Sequence, residues 1–280
     1  MICSERELGL SDDHSGIMVL ESVYEPGTKL IDALDLDTTV FDIGITPNRG
    51  DCLSVLGIAR EVSAYFGLPL NLPKIEIKNV EIDRQPHVDI EIQDPEDCPL
   101  YAARIIEGVK IKPAPAWMRH RLIAMGFRPI NNIVDVTNYV LLEFGHPLHA
   151  FDKDLLKGNK IRVGRPEGKI KFKTLDAQER EINTDDLLIW DAENPVALAG
   201  IMGGFDSEIN NNTQNVLLEC AVFKPSRIRK TARRLSISSE AAYRFERGVD
   251  QLGVQRAIDR AAYLIARFGG GSILKGIVKK

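Results

Sequence analysis

No stretch of the chain approaches the ~20 consecutive apolar residues that a helix needs to cross a bilayer, so a helical membrane anchor is excluded. The first twenty residues are mixed and acidic rather than basic and then apolar, so no secretory signal is expected and the cytoplasm is the expected compartment. Cysteine is sparse: Cys3, Cys52, Cys98 and Cys220 are scattered without a CxxC spacing and without histidines at zinc-ligand intervals. A disulfide framework and a structural zinc site are therefore not expected. Basic residues are not in excess, 36 against 40 acidic for a net charge of -4, so the chain does not hold nucleic acid by overall charge and any RNA contact must be local. The phosphate-loop patterns GxxxxGK[ST] and GxGxxG are both missing, as are internal repeats.

What is present is 280 residues, 44% hydrophobic and 27% charged, the composition of a globular protein with one large or two unequal domains. The opening stretch holds the turn-forming cluster Ser11 to Gly16 and a short apolar strand, Ile17 to Leu20, with no apolar partner nearby. A chain that begins in mid-pattern is expected to be a piece of a longer polypeptide. Residues 22 to 76 read as a small unit, with an alternating strand over Thr39 to Ile43 and a turn over Thr46 to Cys52. A helix follows, capped by Asp51 or Ser54, carrying Val55, Ile58, Ala59, Val62 and Phe66 as its apolar stripe and stopped by Gly67. The stretch from Leu72 to Pro86, rich in Lys, Glu and Pro, reads as a linker.

The larger domain opens with strands His87 to Ile92 and Tyr101 to Ile106. A helix is expected from about Ala116 to Met125, with Met118, Leu122 and Met125 on one face. A second follows Asn131-Asn132, with a stripe of Ile133, Val136, Val140, Leu141 and Phe144 and a stop at Gly145. Short strands fill Lys160 to Ala221, and helices return at Ser226 to Leu235, Ser239 to Arg247 and Val254 to Phe268. Strands and helices fall in blocks, so the fold class is α+β: mixed sheets with packed helices, preceded by a small α+β domain.

Four groups of residues carry possible chemistry. Thr137 lies on the apolar stripe of its helix, with Asn138 beside it and His149 eleven residues on, in the loop Gly145 to Asp152. These can form a polar cluster that orients a water or an ester; equally, Thr137 can bond back to a helical carbonyl while Asn138 faces solvent and His149 is a satisfied loop histidine. The pair His146 and His149 is a weak metal signal, since Pro147 intervenes and the pair lies off a helix. Glu219 stands in the apolar run Val216 to Phe223, where burial would push its carboxyl pKa upward unless donors reach it. A solvated edge position remains open for it. Ala197 to Gly204 is small and apolar, its three glycines allowing close approach of a ligand or of a neighbouring strand. Finally, Lys224, Arg227, Arg229, Lys230, Arg233 and Arg234 fall within eleven residues free of acids, a surface for a phosphate-rich partner or a merely solvated face.

Taken together, the segments "MICSERELGLSDDHSG", "ITPNRGDCLSVLGIAREVSA", "RPINNIVDVTNYVLLEFGHPLHAFD", "ALAGIMGG" and "RFERGVD" resemble the beta subunit of bacterial phenylalanyl-tRNA synthetases, in that family's order and over nearly the whole chain. The resemblance implies that residues 1–21 are the tail of an inserted OB-type tRNA-binding domain, 22–76 a small first domain and 77–276 the B3/B4 domain. In that family this domain is an editing esterase that hydrolyses tyrosine misattached to phenylalanine tRNA. It further implies catalytic positions at His149, Thr137 and Asn138, and substrate contacts at Glu219, Gly203, Ser239 and Ala241. The implied partners are phenylalanine tRNA and the synthetase alpha subunit in an α2β2 assembly. No cofactor or metal is expected in this chain, whereas the whole synthetase uses ATP and magnesium at an aminoacylation site carried by the alpha subunit.

Two departures stand out. The family more often has Gly-Gln-Pro where this chain has Gly145-His146-Pro147, which is expected to bring an ionisable group near the ester. It also has Thr, an acid and Ala where this chain has Ser239-Glu240-Ala241, which keeps a hydroxyl in a slightly larger cavity. The competing expectation is a structural, tRNA-contacting module with an inactive pocket, its RNA contacts made by Arg227, Lys230 and Arg234 of the basic segment.

Overall fold

A computed structural model describes residues 2–10, 14–20, 24–34, 36–77 and 81–280. The chain divides into two compact units, one of residues 1–42 and 115–129 and one of residues 43–114 and 130–280. This spatial division cuts across the segments 1–21, 22–76 and 77–276, which follow the family resemblance and stand as a proposal.

The smaller unit holds α1 (Leu30–Ala33) and a second helix, Ala116–Ala124, described below in chain order. The expected strand Ile17 to Leu20 is not formed: among the described residues only Met18 makes a backbone bond, its N–H donating to the Cys3 carbonyl, and Ile17 and Val19 are exposed. The Thr39 to Ile43 strand is likewise absent, with Phe41 exposed. An extended segment becomes a strand only when a neighbour takes its ladder hydrogen bonds, and these two find none among the described residues. Of the turn cluster Ser11 to Gly16, residues 11–13 lie outside the described residues.

In the larger unit, α2 (Val55–Phe66) starts where Ser54 Oγ accepts the Gly57 N–H at 2.9 Å and ends at Gly67, whose φ of 66° is the left-handed conformation that suits glycine. Its expected apolar stripe is not the buried face: Val55, Val62 and Phe66 are exposed and Ile58 and Ala59 half-buried, whereas the buried residues are Leu56 and Gly57, one position off the stripe. Strands β1 (Glu81–Ile82), β2 (Asp89–Ile92) and β3 (Leu100–Glu107) follow. The stretch expected to be a linker is therefore tied into a sheet at Glu81 and Ile82. Helix α3 (Ala116–Ala124), in the smaller unit, stops one residue short of expectation, with Met118 and Leu122 buried and Met125 exposed.

Helix α4 (Asn132–Phe144) is held at both ends by the residues its sequence supplies. Asn131 Oδ1 accepts the N–H groups of Ile133 and Val134, both at 3.0 Å, and Gly145 closes the helix at φ 74°. The buried Asn132 is fully used: its Nδ2 donates to the carbonyls of Lys110 and Phe268, and its Oδ1 accepts the Lys112 N–H. The chain continues through β4 (His149–Asp152), β5 (Lys160–Gly164), the hairpin β6 (Ile170–Lys173) and β7 (Glu179–Ile182), β8 (Leu188–Trp190), β9 (Pro195–Leu198), β10 (Met202–Gly203) and β11 (Asn215–Val222). Helices α5 (Pro225–Arg234), α6 (Glu240–Phe245) and α7 (Val254–Gly269) precede β12 (Ser272–Leu274) and β13 (Val278–Lys279).

Two mixed sheets build the core. One runs β1-β12-β3-β11-β4, with β13 also pairing β3; the other runs β10-β9-β8-β5-β2. Strands β3 and β11 are buried along almost their whole length because both faces of their sheet are covered. Tyr101, Ala103, Ile105, Leu217 and Ala221 join the core cluster shared with Ile161, Val163 and Leu188 of the second sheet. The alternate residues face α7, where the buried Arg104 pairs Asp259 at 2.7 Å and also reaches Glu81. Glu219 shares the side-chain parity of Leu217 and Ala221, which turns it toward the second sheet.

Candidate active site

The β11–β3 and β11–β4 pairings are both antiparallel, and their register sets Glu219 opposite Ala103 on one side and His149 on the other. Directly opposed residues have Cβ atoms roughly 5 Å apart, so a carboxyl and an imidazole that are 70 positions apart in sequence become neighbours. Both line a cavity of about 80 Å³, together with Gly203, Met202, Ala241 and Phe245. Its remaining wall is apolar, from Pro147, Leu148, Ile189, Ala197, Leu198, Gly200 and Ile201.

Glu219 is buried, and its burial pushes the carboxyl pKa up to about 8, opposed by a hydrogen bond from Tyr101. That phenol donates to Glu219 Oε2 at 3.1 Å; Oε1 has no partner and is not sealed off. His149 stacks edge-on against Phe151 with ring centroids 4.4 Å apart, and its Nε2 is buried without a partner. Lack of solvation pushes its pKa down to about 4, so the ring is neutral at physiological pH.

Gly203 is required by the packing of this ring. A Cβ built on it would lie 2.5 Å from His149 Cε1 and 2.8 Å from Nε2, closer than such atoms approach. Ser239 caps α6, accepting the Ala242 N–H at 3.1 Å, and donates to the Ile201 carbonyl at 2.7 Å. It thus fastens the helix carrying Ala241 to the loop carrying Ile201, two walls of the cavity. Ala241 sits in the first turn of α6, where backbone N–H groups have no partner within the helix.

The structure thus brings together His149, Gly203, Glu219 and Ala241, with Ser239 in support. Thr137 and Asn138 stand on α4 and do not line the cavity; the Thr137 hydroxyl donates to the Val134 carbonyl at 2.7 Å, the back-bonding that its helical position permitted. His146, expected near the ester, lines a separate cavity of about 580 Å³ with Arg60, Phe144, Asp250 and Arg256. Its Nε2 donates to the Ala221 carbonyl at 2.9 Å, and burial pushes its pKa down. His146 precedes β4, and its ring is anchored to the β11 backbone two residues beyond Glu219 rather than beside it.

The three basic residues expected to touch RNA are already engaged with acids or carbonyls. Arg227 donates to Asp97 and to the Asp185 carbonyl, Lys230 pairs with Asp185 at 2.6 Å, and Arg234 pairs with Asp186. The three carboxylates that answer α5 lie far back in sequence, which is why an acid-free run could not reveal them. The one cluster with metal-ligand spacing among the described residues, Asp51, Cys52 and Glu61, surrounds a cation that the chain itself supplies. Arg49 pairs Asp51 at 2.8 Å and Glu61 at 2.7 Å.

Sequence reasoning missed Tyr101. It read only as one apolar strand residue among several, and no local signal marks it, because its partner is 118 residues away and meets it only through the β3–β11 register.

A model of the B3/4 domain matches residues 97–270, well over half of the chain and all of the cavity. The chain belongs to the B3/4 domain family. Curated relatives extend the likeness beyond that domain. The chain is 56% identical over 277 residues to the phenylalanine--tRNA ligase beta subunit of Nitratidesulfovibrio vulgaris, covering 99% of this chain and 35% of that protein. It is 55% identical over 279 residues to the same subunit of Oleidesulfovibrio alaskensis, covering 100% and 35%. The resemblance first read from the motifs is thus borne out along nearly the whole B3/4-containing chain, which spans about a third of the length of these relatives. A crystal structure of an N-terminal fragment of the phenylalanyl-tRNA synthetase beta-subunit from Pyrococcus horikoshii is 17% identical, covers 84% of this chain and 64% of its own, and gives a TM-score of 0.47. Among the described residues, no helix is long and apolar enough to cross a membrane.

Proposed function

We propose that this chain is part of a phenylalanine-tRNA ligase beta subunit and that its B3/4 cavity hydrolyses tyrosine misattached to phenylalanine tRNA. The observation that carries the reading is the placement of Glu219 and His149 side by side across two strands on one otherwise apolar cavity. A synthetic site shaped for phenylalanine rejects the same ring with an added hydroxyl by only ~10²-fold, so a second site is needed. The converse selection is strong: a buried group placed for the phenol hydroxyl is left unpaired when phenylalanine enters, and discrimination can reach roughly 10⁴. Glu219 is that group.

In this reading no side chain attacks the ester. A water does, held against the acyl carbon by the site's shape, with proximity supplying most of the acceleration. His149, neutral at pH 7, accepts a hydrogen bond from that water or from the ester's ribose; with a pKa of about 4 it positions rather than deprotonates. The oxyanion meets backbone N–H donors near Ala241 and Gly203. Thr137 and Asn138, which do not line the cavity, are given no part in this reading. ATP and magnesium belong to the aminoacylation site of the whole synthetase, and the alpha subunit and phenylalanine tRNA are the proposed partners. Glu219→Ala in the full ligase should slow clearance of tyrosyl-tRNA at least tenfold; unchanged clearance rejects the assignment.

The rival reading, a tRNA-contacting module with an inactive pocket, would gain from a solvated Glu219. Its carboxyl is instead buried and shares a cavity with His149, and Arg227, Lys230 and Arg234 are held by acids.

A further inference from the structure

We infer that Tyr101 is the specificity-setting residue behind Glu219: its phenol holds one carboxyl oxygen so that the other alone is presented to the hydroxyl of a bound ligand. The inference rests on the proposed editing function and names a residue that function did not require.

The geometry is that of a fixed template. Tyr101 is fully buried on β3, two residues along from Ala103, the register partner of Glu219, so it meets the carboxyl on the diagonal of the same sheet face. Its hydroxyl donates to Oε2 at 3.1 Å, while Oε1 has no bond among the described residues and the side chain lines the cavity. A glutamate side chain has three rotatable bonds and a terminal torsion that is broad. Without the phenol, nothing else among the described residues bonds this carboxyl, and both oxygens would sweep the cavity.

The arrangement also sets which proton goes where. With Oε2 occupied as an acceptor, a neutral Glu219 carries its proton on Oε1 and donates it to the phenol oxygen of the ligand. An ionised Glu219 accepts the ligand's hydroxyl proton at the same atom. Either form reads a hydroxyl at one place, and neither finds a partner on a phenylalanine ring. Tyr101 from β3, His149 from β4 and the buried Cys98 thiol surround this carboxyl, and the Cys220 thiol lies next to it on the α7 face of β11. None of the four carries charge at neutral pH, since burial pushes the phenol and both thiols up and the imidazole down. Tyr101 is therefore the one neighbour whose bond selects the ionised form.

The test compares Tyr101→Phe with Glu219→Ala in the full ligase, using phenylalanine tRNA charged with tyrosine or with phenylalanine. Tyr101→Phe keeps the ring and should raise KM for the tyrosyl ester about threefold to tenfold, the worth of one hydrogen bond, with kcat nearly unchanged. The tyrosine-over-phenylalanine ratio should fall by the same factor, and the titration midpoint of the Glu219 carboxyl, followed by its infrared carbonyl band, should move upward as the bond that favours the ionised form is lost. Incorporating 3-fluorotyrosine at position 101, a stronger donor of nearly the same shape, should move that midpoint downward and covers the case in which Tyr101→Phe fails to fold. If Glu219→Ala destroys the tyrosine preference while Tyr101→Phe leaves KM, ratio and midpoint as in the parent, the template role is overturned and the editing function stands. If Glu219→Ala also leaves the preference intact, the editing function falls and this inference falls with it.

Discussion

Replacing Glu219 by Gln should make the protein more stable at alkaline pH, and by an amount that the structure fixes. An accessible glutamate titrates near 4.5, and burial moves this one to about 8. At about 1.4 kcal/mol per pH unit, that displacement corresponds to roughly 5 kcal/mol of preference for the neutral form in the folded state. Because the folded pKa is raised, the folded chain binds this proton more tightly than the unfolded chain. Stability from this group is full below pH 4.5 and is lost as pH rises toward 8. About 3 kcal/mol is already gone at pH 7, and nearly all of it above pH 9. Glutamine keeps the shape and can still accept the Tyr101 hydroxyl, yet has no proton to lose.

Urea denaturation of parent and Glu219→Gln between pH 5 and pH 9 measures this directly. The difference between the two should grow by several kcal/mol across that range, always in favour of the variant at the alkaline end. The comparison isolates one group, because the two buried histidines are common to both proteins. Their depressed pKa values act with the opposite sign, removing stability on the acid side as pH falls through the folded midpoint. Equal pH dependence in parent and variant would show that the carboxyl is solvated, and would refute the burial on which the cavity's selectivity rests.

Gly203→Ala should cost about 1–3 kcal/mol, since its methyl would meet the His149 ring and Leu175 Cδ1 within 3 Å and the tightly packed ring must move. Thermal unfolding reads the loss, and tyrosyl-tRNA clearance should fall with it; full clearance would mean that the ring position is immaterial. His149→Ala should slow single-turnover hydrolysis with little change in tyrosine affinity, the pattern of a group that acts after binding. In the parent, the rate's dependence on this imidazole should appear near pH 4 rather than near pH ~6.5. A break at the ordinary histidine value would show that the ring is hydrated.

Much of the scaffold was determined by local chemistry and could be read from the chain. The caps at Ser54 and Asn131, the left-handed stops at Gly67 and Gly145 and the helical stripe of α4 were legible because a cap or a turn is decided by residues within one helical turn of it. Strand β3 was placed to within one residue at each end. The apolar run Ile17 to Leu20 and the alternating run Thr39 to Ile43 were read as strands in the same way and failed, because a strand is completed by a partner and no local pattern can supply one. The suspicion that fell on Glu219 came from its apolar neighbours in sequence, a legitimate signal of burial. Its meaning came from elsewhere. Tertiary structure alone decided that Glu219 faces His149 rather than His146, that Tyr101 occupies one carboxyl oxygen, and that the acid-free basic run is answered by Asp97, Asp185 and Asp186. Those pairings join residues from 42 to 130 positions apart. Those of Glu219 depend on strand register, in which a slip of one residue would turn every side chain to the opposite face, and those of α5 on how the helix packs.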